Sequence, residues 1–150
     1  MAMIDILKHI KVTRVMNAVA AGTTTQNGTG VDMTGFEGVL FVAAFGTLTA
    51  TQVTSLNAQQ SSDDGSTDTY DDLAGTKAGP LADADSNKLL AIDVYRPQKK
   101  FVRPTVVRGT ANAVIDGVIA IQYNLKKEPS TQPTSVSASK AIVSPAEGTP

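Results

Sequence analysis

The stretch AVIDGVIAIQY, Ala113 to Tyr123, decides the fold class. Its β-branched residues occupy both phases of a two-residue alternation, the pattern of a strand covered on both faces, and the run is far short of the ~20 residues a helix needs to cross a bilayer. Asp116-Gly117 interrupts the pattern in the manner of a β-bulge. Upstream, Phe101 to Val107 and Ala91 to Tyr95 are further strand candidates. The separators, Pro97-Gln98-Lys99 and Arg108-Gly109-Thr110-Ala111-Asn112, are short enough to predict an antiparallel meander. Pro104 has no N–H to give to a ladder, so it belongs on a sheet edge or at an irregularity.

Further upstream the same texture continues. Val39 to Phe45 is an apolar run, Gly46 is a turn or bulge, and Thr49 to Gln59 alternates through Thr51, Val53, Ser55 and Asn57. Ser61-Ser62-Asp63-Asp64-Gly65-Ser66-Thr67 then predicts a tight hairpin connection, because Gly accepts positive φ and Asp bonds its own backbone. Residues 73–89 read as a long loop with a helical turn near Leu81 to Ala84, and residues 18–30 as a loop or hairpin around Asn27-Gly28. Residues 4–16, IDILKHIKVTRVM, mix a helical and a strand period and are taken as an extended arm or edge strand. After Asn124 the chain turns to Pro, Ser and Thr and buries too little to offset its ordering entropy, although Ala141-Ile142-Val143 offers a docking point for a partner. The expectation is therefore an all-β, antiparallel, jelly-roll-like β-sandwich over residues 31–124. An N-terminal arm and loop (1–30) precede it and a flexible tail (125–150) follows.

Composition narrows the chemistry. The 150 residues carry 13 Lys+Arg against 14 Asp+Glu, a net charge of -1, so bulk charge draws the chain to neither nucleic acid nor anionic lipid. With no Cys, thiolate catalysis, disulfides and Cys-based zinc sites are excluded. The first residues, with Asp5, Lys8 and Lys11 among apolar ones, lack the uninterrupted core of a signal peptide.

The side chains that could carry chemistry are few. Asp63-Asp64, Asp71-Asp72 and Asp83-x-Asp85 offer clustered oxygens for a cation or for glycoside hydrolysis, but none has EF-hand spacing and all lie in turn-forming text; solvated turn carboxylates are the better reading. His9 stands between Lys8 and Lys11 with no nucleophile near in sequence and reads as a surface histidine. The glycines of 22–30 match neither a P-loop nor a dinucleotide fingerprint. Arg96, Lys99, Lys100, Arg103 and Arg108 form an acid-free basic stretch suited to an anionic partner, whose alternative is a solvated strand face. Sparse aromatics argue against nucleic acid and the absence of Trp against a sugar site, which leaves carbohydrate as a partner that the sandwich alone suggests.

Four phrases in order, Gly35-Phe36-Glu37-Gly38-Val39-Leu40-Phe41, Gln60-Ser61-Ser62-Asp63-Asp64-Gly65-Ser66, Tyr95-Arg96-Pro97-x-Lys99-Lys100-Phe101-Val102-Arg103 and Asp116-Gly117-Val118-Ile119-Ala120, resemble small head-associated virion proteins of tailed bacteriophages, the capsid decoration or cement proteins. The resemblance spans residues 31–124 and implies a non-enzymatic subunit, made in the host cytoplasm, that binds the major capsid protein on the outer surface of the virion, commonly as a homotrimer, and stabilises the shell. It implies no cofactor, metal, nucleic acid or membrane. The alternatives are a neck or tail component, a virion-surface carbohydrate-binding module, and a hydrolase using the carboxylates. Partner-binding residues are expected in the arm, at Ile4, Ile6, Lys8, Ile10, Lys11, Val12 and Arg14, where strand addition onto a capsid or sister subunit would turn the basic groups toward acids. Others are expected in the basic stretch, at Arg96, Lys99, Lys100, Arg103 and Arg108.

Overall fold

The two-residue period of a strand gives each long strand one face to bury, and two sheets meet over those faces. The computed structural model describes residues 5–149. In chain order the strands are β1 (Lys11–Met16), β2 (Val19–Gly22), β3 (Gln26–Asn27), β4 (Val31–Asp32), β5 (Gly38–Leu48), β6 (Val53–Ser61), β7 (Asp71–Asp72), β8 (Leu89–Tyr95), β9 (Phe101–Gly109) and β10 (Ala113–Tyr123). The first sheet runs β1-β10-β5-β8, with β2 also on β10; the second runs β3-β9-β6-β7, with β4 also on β9. All pairings are antiparallel, and the protein is an all-β sandwich.

The core lies between the sheets. Val39, Phe41, Ala43 and Phe45 of β5, with Ile115, Val118 and Ala120 of β10, face Leu56 and Ala58 of β6 and Val102 and Val106 of β9, all fully or almost fully buried. Each large apolar side chain buried this way contributes about 1.5–3 kcal/mol. The expected bulge in β10 is present: the register against β5 slips between Ile115 and Gly117, and Gly117 has a φ of 148°. It switches the inward phase from odd to even positions, so Ala113 and Ile115 point in before it, and Val118, Ala120 and Gln122 after it. Ile119 and Ile121 are thereby turned outward.

Pro104 lies at an irregularity. β9 is a central strand, but its partner is broken into β3 and β4, and the break falls opposite Pro104. Gly28 spans it, donating its N–H to Pro104 O at 2.8 Å. A Cβ there would stand 2.7 Å from the Pro104 ring. Glycine lets the chain close over a residue that cannot donate.

Four expectations are corrected. Residues 91–123 do not form a meander, because β8 pairs with β5, β9 with β6, and β10 lies between β1 and β5, so the chain changes sheet at each of the two connections. Residues 5–30 are not an arm outside the body: β1 is the edge strand that residues 4–16 offered as the alternative to an arm, paired with β10, β2 also pairs with β10 and β3 with β9, and Val15 and Met16 are buried in the core. The tail is anchored in its first part, where Ser130 donates its N–H to Lys8 O at 2.8 Å and Gln132 accepts from Val12 N at 2.9 Å; from Ser137 to Thr149 every residue is exposed. Finally, the connection after Ser61 is not tight but runs through 62–70 before β7 returns alongside β6. Among the described residues no helix is long and apolar enough to cross a membrane.

Candidate interaction surfaces

The acidic residues of the β6–β7 connection act on their own loop. Asp63 accepts from the N–H groups of Ser66 at 3.1 Å, Thr67 at 2.8 Å and Asp68 at 3.1 Å, while Asp64 and Gly65 take positive φ to close the turn. Burial works against the ionised Asp63 carboxyl, but the Thr67 and Asp68 N–H groups outweigh it and hold its pKa below the ordinary value. Lys99 donates to Asp68 at 2.8 Å, and this ammonium, with the Ser62 N–H and hydroxyl, holds the Asp68 carboxyl at about 2. Tyr70 donates to Asp64 at 2.6 Å and lays its ring 4.1 Å from the Arg103 guanidinium, which also donates to Gln59 at 2.9 Å. Two of the phrases behind the resemblance thus meet as one loop clasp. Among the described residues no group of three His, Asp or Glu side chains is placed to hold a metal ion.

The basic stretch is accordingly divided. Lys99 and Arg103 are spent on the loop. Arg108 is 6% exposed and donates to the carbonyls of Ala20 at 3.0 Å, Thr24 at 2.8 Å and Ala113 at 2.6 Å, so it ties the second sheet to β2 and β10 and is not available to a partner. That corrects its expected role: Arg108 follows the inward phase of Val102, Pro104 and Val106. Arg96 and Lys100 remain exposed and line a cleft of about 430 Å³ at one end of the sandwich with Phe36, Pro97, Gln98 and Lys126. Their carboxylate partners are loosely held, Glu37 at 3.8 Å from Arg96 and Asp32 at 3.5 Å from Lys100. Lys126 forms no ion pair among the described residues. Its place in the cleft was missed because it lies after the last strand; only the neighbouring Lys127 hinted at it.

The N-terminal candidates scatter. Ile4 lies outside the described residues. Ile6 and Lys8 belong to a 3-10 turn, Ile6–Lys8, capped by Asp5, to which Lys8 also pairs at 3.3 Å. The carbonyl of Ile10 accepts from Ser130 and Gln132, and His9 pairs with Glu128. Lys11, Val12 and Arg14 are in β1, whose strand addition is to its own β10. On its other edge the tail supplies side chains in place of a strand: Gln132 accepts from Val12 N, and Ser135 from Arg14 N at 3.3 Å. That blunts an edge that would otherwise recruit another chain.

Val12 and Arg14 nevertheless reach a second surface. On the outer face of the first sheet, cross-strand neighbours stand in largely apolar rows: Val12, Ile121 and Leu40, ended by Asp93, then Ile119, Val42 and Ala91, ended by Arg14, then Ala44 and Leu89. Leu89 is 61% and Ile119 43% exposed. Around Gly117, the residues Val12, Arg14, Val42, Ala44, Leu89 and Ile119 shape a groove of about 450 Å³, walled on one side by Ser135 and Val136 of the tail. An antiparallel sheet facing water normally presents polar groups there. The signal was present in the two-phase apolar pattern of 113–123, which predicts covering on both faces.

The chain matches no protein-family model and no curated protein.

Proposed function

We propose that the protein is a non-enzymatic structural protein of a tailed-phage virion, bound to the major capsid protein on the outer shell surface as a homotrimer and stabilising the shell. The observation that carries the reading is the open cleft of Arg96, Lys100 and Lys126, an exposed cationic surface on a sandwich whose other charged clusters hold its own loops. Such a cleft fits an acidic protein surface, and many modest contacts repeated over a shell add through multivalency. The ordered phrases of residues 31–124 point the same way. The strand order supports the jelly-roll form of the sandwich: with β3 and β4 as one interrupted strand, β1-β10-β5-β8 facing β3-β9-β6-β7 is the order of two interlocked Greek keys.

The test is co-sedimentation with purified expanded shells lacking the protein, over a range of salt. Arg96→Glu with Lys126→Glu is expected to lower shell affinity at least ~10-fold and to flatten its salt dependence. Binding equal to wild type at every ionic strength overturns the reading. So does a copy number of one ring per particle, which would place the protein at the neck.

A further inference from the structure

We infer that the groove on the outer face of the first sheet takes the Ile142-Val143 segment from the C-terminal tail of a second copy, so that neighbouring subunits exchange tails. The inference deepens the self-association proposed above and stands whether or not a shell is bound. It starts from a complementarity. The three most exposed large apolar side chains among the described residues are Val143 at 79%, Ile142 at 64% and Leu89 at 61%, two in the tail and one in the groove. Neither surface is covered within the chain.

Charge adds a second match. The groove carries one cation, Arg14, and one anion, Asp116, and the tail segment is bracketed by Lys140 and Glu147. None of the four has an ion-pair partner among the described residues. An apolar pair between opposite charges therefore has a site with an apolar floor and opposite charges of its own.

The route of the tail decides whose groove is filled. Val136 already stands in the groove wall of its own subunit, and the chain leaves from there. Between Val136 and Ile142 the sequence is Ser-Ala-Ser-Lys-Ala, with none of the strong turn formers Gly, Pro, Asn or Asp and two Ser, which favour turns more weakly. Six extended steps span about 20 Å. The tail advances along the free edge of β1, Gln132 beside Val12 and Ser135 beside Arg14, and β1 ends at Met16, so a tail that does not turn back carries Ile142 past the end of that strand and out of its own groove. β-branched Ile142 and Val143 favour that extended form, and Pro145 ends it.

Because the native chain has no Cys, thiols report the contact cleanly. A size-tagged Leu89→Cys chain is mixed with an untagged Ile142→Cys chain under mild oxidation, without shells, and compared with an Ile142→Cys and Ser66→Cys pair. The expected result is a mixed disulfide between the two chains, formed at least ~10-fold faster than in the control pair. Equal rates overturn the inference. A Leu89→Cys/Ile142→Cys double variant that closes only an intrachain disulfide also overturns it, in favour of self-docking. Shell binding that fails while the mixed disulfide forms removes the capsid reading and leaves tail exchange intact.

Discussion

The outward faces of the two sheets differ in chemistry at the middle of their long strands. The second sheet turns out Gln59, Arg103 and Thr105, and these are bonded within the chain: Thr105 bonds Asn27 at 3.1 Å, Arg103 bonds Gln59, and Tyr70 from the β6–β7 connection stacks on Arg103. The first sheet turns out Leu40, Val42, Ile119 and Ile121, and only the edge of that face meets the tail. A polar face satisfied by its own loop contributes to folding and has little left for a partner. An apolar face left in water adds nothing to the isolated fold and retains its burial energy, about 25 cal/mol per Å², for association. The molecule thus separates what holds it together from what it offers to others.

The largest effect is expected where the internal polar bonding is deepest. Arg108→Met keeps much of the apolar stem but deprives the Ala20, Thr24 and Ala113 carbonyls of their donor, and should cost roughly 3 kcal/mol or more. Urea denaturation measures it. A loss under ~1 kcal/mol would mean that water replaces the guanidinium at no great cost, and the division between the two regions would weaken.

How much of this could be read in advance depends on whether a signal is local. The long strands were legible because alternation and β-branched apolar runs are both written residue by residue, and the β10 bulge was legible in Asp116-Gly117. Partner choice was not: β8, β9 and β10 are consecutive in sequence, yet each pairs with a strand far away, and nothing in a strand's own text names its neighbour. Arg108 was misassigned by its charge although its phase was readable, since positions 102, 104, 106 and 108 share the inward side. The docked part of the tail left no trace, because single contacts from Ser130, Gln132 and Ser135 have no period. Lys126 reaches its cleft only through the three-dimensional course of the chain.

A smaller effect should come from the loop clasp. Asp68 is held ionised by Lys99 and by Ser62, with its pKa lowered to about 2. A depressed folded-state value means that the pair stabilises the protein above the unfolded aspartate value and that this contribution fades as the carboxyl protonates. The wild type should therefore exceed Asp68→Asn in urea midpoint at neutral pH, with the gap closing between about pH 4, the ordinary aspartate value, and about 2. A gap independent of pH over that window would show that the side-chain hydrogen bonds, not the charge, hold the loop over the second sheet.

The smallest effect is expected on the apolar face, and it is the most discriminating. Leu89→Ser and Ile119→Ser remove two exposed aliphatic groups from the groove on the first sheet. If that face takes no part in the isolated fold, each change in unfolding free energy should stay within about 0.5 kcal/mol, measured at protein concentrations low enough to keep the chain monomeric. The same substitutions should lower self-association at higher concentration, read by sedimentation. A loss of ~2 kcal/mol or more in the monomer would instead give the face an internal role, because truncating a side chain is that expensive only when its atoms are packed. The two faces would then differ in polarity but not in purpose, and the groove would be a shallow part of the core.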